Sequence, residues 1–590
     1  MNITQGILHA VEEGKARVLT RIIPFAVTLL VIFLCYNFRV FNGLDDAQSM
    51  DNAQVARQIA RGDGFTTKFI RPYALGQLNS LAQKRPAAQD RELFPAAKFP
   101  KGTERILPDT YNAPGYPYLL AGWFKLLNSK FDEAPRDIAT ARTYGPDHAI
   151  PWLNQIFLFL NAALIFILGW RLFDERVAWM AMTAFLLTDI VWQYSITALP
   201  TTGLMCLTTL VLFATVEIFS VGEACFESTE APFWPAWLWT LLLAVILGLI
   251  SLTRLHLLVL LLPLALFFLS VPRSSFWLIL VLVVVVLGMV VPWFWHMYFI
   301  SGSLIGSNIP FLHYGSEGFE GNQIYGVLGA PDYNQLFKDI AGKEFIGFGW
   351  NFAHAWSLLG TNPIVLLFFV STLHSFKRPR VQALRWLIVG AAFSIIAANN
   401  FGSPHPENLD PWNNLVILLP GMLVVGSAFF FILVDRLHFP LWILNNAITI
   451  TMLVLVALPM IGALLDARGN RTYPPYSPPA LRAIGNYVHT EDWITTDMPW
   501  ASAWYGDHTS LWLPDTLLDF EEIYDDYNNS GLLVLTPVTL QAPASTLTSG
   551  EYKDWMPFIT GVNIPPHFPL DSRAPSGAGM IEYFIWGRRG

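Results

Sequence analysis

Long apolar runs divide this chain, and they constrain its fold more than any other feature. They cover about 22–40, 149–170, 177–195, 199–219, 234–252, 255–270, 276–297, 355–374, 384–400, 412–434 and 440–465. Runs of roughly 17–24 residues are long enough to cross a hydrocarbon core of about 30 Å. In such a core a lipid-exposed backbone satisfies its polar groups only as helix or closed barrel. The runs therefore predict an all-α polytopic membrane protein with about 11 transmembrane helices. Composition agrees. Of 590 residues, 53% are hydrophobic and 14% charged, which excludes a disordered chain, a collagen-like fibre and an ordinary water-soluble enzyme. A net charge of −8 argues against a nucleic-acid partner, which would want a basic groove. Cys35, Cys206 and Cys225 are far apart and predict neither a disulfide framework nor a zinc motif.

Orientation follows from the basic residues. With eleven spans, the segments 1–21, 171–176, 220–233, 271–275, 375–383 and 435–439 share one side. They hold Lys15, Arg17, Arg21, Arg171, Arg176, Arg273, Lys377, Arg378, Arg380 and Arg436, with Arg385 at an edge. On the other side, apart from 41–148 and the tail, the loops hold only Arg254, Lys338 and Lys343. Cytoplasmic loops carry the Lys/Arg excess, so the N-terminus (1–21) is expected in the cytoplasm. Ala113–Leu127 carries Pro114 and Pro117 and is too short to span; counting it as a span would put Lys377–Arg385 outside. The membrane part is then 22–465, with large outer loops at 41–148 and 298–354. The tail, 466–590, is expected outside. Its helix-like Ala480–Val488 and apolar runs from Trp493, Ser510 and Leu532 predict a small extracytoplasmic α/β domain.

The polar residues of interest fall on the outer side. Asp45, Asp46 and Asp51 follow the first span directly. Wound as a helix, residues 50–61 put Gln54, Arg57, Gln58 and Arg61 on one side and Ala53, Val55, Ala56, Ile59 and Ala60 on the other, and Gly62 and Gly64 stop it. Such an amphipathic helix is expected to lie in the membrane plane, apolar face toward lipid. Carboxylates partly desolvated at that boundary suit a general base; the plainer alternative is that Asp45 and Asp46 cap the helix. Lys68 and Arg71 follow as cations that can grip a lipid phosphate, with a snorkelling role as the alternative. Arg254 interrupts two apolar runs, and an arginine there needs a partner or an anion. His405, Glu407 and Asp410 share one outer loop and His313, Glu317 and Glu320 another; either set offers ligands to a divalent metal, without a specific spacing. His256 and His296 read as buried structural histidines.

Several motifs together carry a resemblance. They are Asp45-Asp46 with Ala53-Gln-Val-Ala-Arg-Gln-Ile-Ala-Arg-Gly-Asp-Gly-Phe, Asn112-Ala-Pro-Gly-Tyr-Pro-Tyr-Leu-Leu, Gly169-Trp-Arg-Leu-Phe-Asp-Glu-Arg-Val-Ala, Ala198-Leu-Pro-Thr-Thr and Pro292-Trp-Phe-Trp, with Asp497-Met-Pro-Trp-Ala-Ser-Ala-Trp-Tyr-Gly in the tail. In these the chain resembles the GT-C superfamily of integral-membrane glycosyltransferases, in particular bacterial relatives of protein O-mannosyltransferases and the aminoarabinose transferase. It departs from the family pattern where Asp45-Asp46 stands for the usual Asp-Glu and Ala113-Pro114 for Pro-Pro.

The resemblance implies a multi-pass protein of the bacterial inner membrane. Its donor would be a polyprenyl-phosphate-linked sugar and its acceptor a glycan, lipid or protein. An aspartate of the first outer loop would be the base, with Asp46 ahead of Asp45 and Asp51. Arg57, Lys68, Arg71, Arg254, His405 and Glu407 are the candidate substrate-binding residues; no metal site is assigned, and a divalent metal stays open as a cofactor. A flippase of lipid-linked sugars is the alternative, although inverted repeats and midplane polar residues are not evident. A non-catalytic assembly subunit on the same scaffold is a third reading.

Overall fold

The computed structural model describes residues 15–84, 107–131, 144–228, 232–272, 276–308, 326–329, 333–403, 405–406, 409–437, 442–466, 478–485, 488–489, 491–527, 530–540, 542–550, 552–570, 572–578 and 581–587. Among these, 7 helices are long and apolar enough to cross a membrane: Gly145–Leu172, Thr201–Glu227, Trp234–Thr253, Phe276–Ser301, Pro379–Gly402, Asn414–Arg436 and Leu444–Asp466. The first predicted span, 22–40, lies within the helix Lys15–Cys35 and its continuation Tyr36–Val40. Leu255–Ser270 is apolar but short. The run 177–195 is two helices, Glu175–Leu186 and Asp189–Ser195, because Thr188 between them has extended backbone (φ −84°, ψ 116°); its hydroxyl donates to the Ala184 carbonyl (2.7 Å) and accepts from Asn362 Nδ2 (2.8 Å). The run 355–374 is divided between the end of Tyr333–Leu358 and the 9-residue Pro363–Ser371. Residues 333–354 of the expected outer loop belong to the helix Tyr333–Leu358.

The bundle core is one continuous apolar cluster around Trp192, Leu204, Leu247, Ile388 and Leu418. A second cluster determines where the site lies. It joins Met50, Ala53 and Ala56 of the helix Ala47–Arg61 to Tyr116, Leu120 and Phe124 of Gly115–Leu126, and to Met498, Ala501, Trp504 and Tyr505 of the tail. The helix after the first span is thus amphipathic as expected, yet protein rather than lipid covers its apolar face. Residues Ser49 to Gln58 are buried all round. Gly62, at φ 102°, ends it in the left-handed region that glycine adopts without a Cβ penalty.

The tail forms strands at Trp493–Thr496, Ser510–Trp512, Ser530–Leu535, Ser572–Ala578 and Ile581–Gly587, with the helices Pro478–Gly485 and Leu517–Tyr527 between and beside them. The first three run parallel and the last two antiparallel, and Ser510–Trp512 would be an edge. That edge is covered by Phe69–Ile70 from the first loop, pairing parallel with Ser510 and Leu511. The first loop and the tail therefore share one sheet.

Candidate active site

The first loop, the ends of three long helices and the turn at Arg254 enclose a cavity of about 450 Å³. Gln48 and Asn52 reach it from the first-loop helix, and Tyr111 to Pro117 form a second wall. Arg254 and His256 form the third, and Ala397, Phe401 and Trp412 the fourth. Gly115 permits the close meeting of the second and third walls. A Cβ there would sit 2.4 Å from Thr253 Oγ1.

Arg254 stands where Trp234–Thr253 ends. Its extended backbone (φ −143°, ψ 105°) separates that helix from the 3-10 turn Leu255–Leu260. The side chain is 9% exposed; Nη1 donates to Asn414 Oδ1 and Nη2 to Thr201 Oγ1 at 3.2 Å. A guanidinium has five donors, so two fixed contacts orient the fork without exhausting it. Asn414 is fixed in turn: its amide donates to Asn399 Oδ1 (2.9 Å) and meets His256 Nε2 at 2.8 Å. The His256 ring stacks on Trp412, with centroids 5.0 Å apart. The Asp410 and Asp46 carboxylates both act electrostatically on Arg254.

Asp46 is the N-cap of the first-loop helix; its Oδ2 accepts from the Ser49 amide at 2.7 Å. Burial pushes its carboxyl up to about 6, against the pull of the Ser49 hydrogen bonds and with help from Asp45 and Asp410. Capping and basicity are therefore joint properties of one carboxylate, since its second oxygen is not used by the cap. Asp45 precedes it and is exposed. Neither lines the cavity; Gln48 and Asn52, further along the same helix, do. They are held by Asn112 Oδ1, which accepts from Gln48 at 2.7 Å, and by the Ala198 carbonyl, which accepts from Asn52 at 3.1 Å.

The other predicted residues form two separate clusters. Asp51 is 1% exposed and paired with Arg71 at 2.7 Å, and it accepts from Asn112 (3.0 Å) and Gln54 (3.0 Å). Arg71 is clasped between the rings of Phe69 and Tyr111, at 4.0 and 3.6 Å. Arg57 donates to the Trp504 and Ala503 carbonyls at 2.7 and 2.6 Å and pairs with Asp507 at 3.1 Å. Lys68 and Arg61 reach the same Asp507, at 3.0 and 2.8 Å. Burial works to raise the Asp507 carboxyl, but Arg57, Arg61 and Lys68 outweigh it and hold it well below the usual carboxylate range. His405 is exposed and edge-on to Trp350 (5.5 Å). Glu407, His313, Glu317 and Glu320 lie outside the described residues. Among the described residues no group of three or more His, Cys, Asp or Glu can hold a metal ion.

Sequence reasoning passed over Gln48, Asn52, Asn399, Asn414 and Asp507. Amides carry no periodicity signal, and Asp507 meets its cations only through the tertiary fold. Arg254 was visible because a charge inside apolar sequence is conspicuous.

No protein-family profile and no curated protein matches the chain. Solved structures do. ArnT from Cupriavidus metallidurans bound to undecaprenyl phosphate is 12% identical, with 96% of this chain and 98% of that chain covered and a TM-score of 0.53. The apo state of the same protein is 14% identical over 90% of this chain and 96% of that chain, at 0.51. The archaeal oligosaccharyltransferase AglB from Archaeoglobus fulgidus, in complex with an inhibitory peptide and a dolichol-phosphate, is 11% identical, with 95% of this chain and 74% of that chain covered, at 0.51. At such identities the likeness is one of fold: this chain shares its overall fold with ArnT and AglB.

Proposed function

We propose that the protein is an inverting membrane glycosyltransferase that moves a sugar from a polyprenyl-phosphate donor to an acceptor on the outer face of a bacterial inner membrane. One observation carries the reading: a largely apolar cavity in which a buried, pre-oriented guanidinium faces the helix that begins at Asp46. The similar ArnT and AglB structures hold undecaprenyl phosphate and dolichol-phosphate, which fit the same chemistry.

In this mechanism Asp46 accepts the proton of the acceptor hydroxyl as its oxygen attacks the anomeric carbon. The sugar–phosphate bond breaks, and the polyprenyl phosphate leaves with the bonding pair. Arg254 offsets the charge growing on that phosphate. Asp45 is the second choice for the base. Asp51 and Arg71, and Arg57 and Lys68 with Asp507, brace the first loop and hold the site in shape. The division into a cytoplasmic 1–21, a membrane part 22–465 and an extracytoplasmic α/β tail 466–590 belongs to the same proposal, since it puts every one of these groups on one side.

The test uses the full chain in proteoliposomes with a radiolabelled polyprenyl-phosphate sugar. Asparagine caps a helix about as well as aspartate but is a poor base. Asp46→Asn should therefore melt as the parent does and lose transfer by about 10²–10⁴-fold. Unchanged turnover in both Asp46→Asn and Asp45→Asn would remove the base assignment.

A further inference from the structure

At the other end of the bundle lies a second cavity, of about 350 Å³, that the transfer reaction does not use. Its distance from the first follows from helices that touch both. Ala149–Leu172 begins beside the first loop, where Asn154 meets Tyr116, and its Leu172 carbonyl accepts from Arg378 of the second cavity at 2.6 Å. Pro379–Gly402 starts with Val381 in the second cavity and ends with Phe401 in the first. The 20 positions from Val381 to Phe401 put the two about 30 Å apart. That is the thickness of a bilayer's hydrocarbon core, so the second cavity sits at its far edge, where the headgroups begin.

Its chemistry is one-sided. Lys377, Arg378 and Arg436 line it, and among the described residues no carboxylate does. The nearby acids have other partners: Asp174 caps Glu175–Leu186 by accepting from the Val177 amide, and Asp435 pairs with Arg176 at 3.3 Å. Pro379–Gly402 begins here with no acidic residue in its first turn and no side-chain cap, so its positive end adds to the field. The remaining walls are apolar, with Phe173, Phe376 and Ile432 among them. Cations beside apolar rings, between helices at the membrane edge, match a phosphate ester whose other end is hydrocarbon.

We infer that this cavity is a binding site for the phosphate headgroup of an anionic phospholipid, with Lys377, Arg378 and Arg436 on the phosphate and the rings on the glycerol end. The inference stands apart from the transfer reaction, because it uses none of its residues.

Native mass spectrometry of the detergent-purified full chain, titrated with phosphatidylglycerol or phosphatidylcholine, tests it. The parent should retain phosphatidylglycerol in preference to phosphatidylcholine. Lys377→Gln combined with Arg436→Gln should weaken that retention roughly thirtyfold. Lys377→Gln alone, which leaves Arg436 and its neighbours untouched, should weaken it roughly fivefold and keeps the test valid should the double variant misfold. Equal retention by parent and variants, or equal retention of the two lipids, would overturn the assignment. So would displacement of phosphatidylglycerol by an equal concentration of inorganic phosphate, which would make the ligand a free phosphate.

Discussion

Asp46 and Asp507 are the same residue type in opposite circumstances. Asp507 lies among Arg57, Arg61 and Lys68, and its charge is held so firmly that the carboxyl titrates far below its usual range. Asp46 sits at the other end of the same helix with no cation in contact among the described residues, and burial pushes it up to about 6. Three cations make a carboxylate a brace. Burial beside other carboxylates makes it a proton acceptor. The first-loop helix thus carries a structural acid contact at its C-terminal end and, at its N-terminal end, the carboxyl proposed as the base.

The contrast can be broken in three ways. The largest effect is expected in the pH profile. If Asp46 must be ionised to act, kcat/KM should fall about tenfold per pH unit below about 6, reaching about a hundredfold loss near pH 4. A profile flat through that range would separate the group from the reaction. The same raised value has a stability sign. Between the unfolded value of 3.8 and about 6 the folded state holds the extra proton, so this group's contribution to stability declines as pH rises across that window. Asp507 contributes the other way: its contribution is present above 3.8 and is lost as pH falls toward its depressed value.

The next effect is on folding. Asp507 has φ 59°, which asparagine also tolerates, so Asp507→Asn removes the charge and keeps the backbone. Arg57 would then be buried beside carbonyls alone, and the cost should be about 2 kcal/mol, less than for a fully buried pair because Asp507 is 19% exposed. Thermal unfolding measures it, and amide exchange should rise over Met498–Asp507. An unaltered melt would mean that the three cations are indifferent to the acid. The smallest effect is expected for Gly62→Ala, whose left-handed φ should cost about 1–2 kcal/mol without altering the pH profile. A shifted profile would show that the two ends of the helix are not separable.

How much of this was legible in the sequence depended on distance. The bundle was readable because lipid demands only long apolar runs, and Thr201–Glu227 or Asn414–Arg436 satisfy that locally. The tail strands at Trp493, Ser510 and Leu532 stood out as short apolar segments between turns. Tyr333–Leu358 did not, because Lys338, Asp339, Lys343 and Glu344 dilute its hydropathy. Phe69–Ile70 is two residues long and has no period to detect. Of the candidate site, Asp46 and Arg254 were visible as charges at span ends. The groups that orient Arg254 were not, since the Thr201 hydroxyl and the Asn399 and Asn414 amides meet only when separate helices pack.

The shared sheet also sets an order of assembly. During synthesis Phe69–Ile70 emerges long before Ser510–Trp512 exists to receive it, so the first loop must wait in a half-finished state while the whole bundle is threaded. Until the tail arrives, the Arg57 fork lacks the Ala503 and Trp504 carbonyls and the Asp507 carboxylate, whereas the Asp51–Arg71 pair already has Gln54, Asn112, Phe69 and Tyr111 around it. Closure of that edge is a contact between a late-made segment and an early-made loop, so a chain stopped short of Ser510 leaves Phe69–Ile70 without its partner strand.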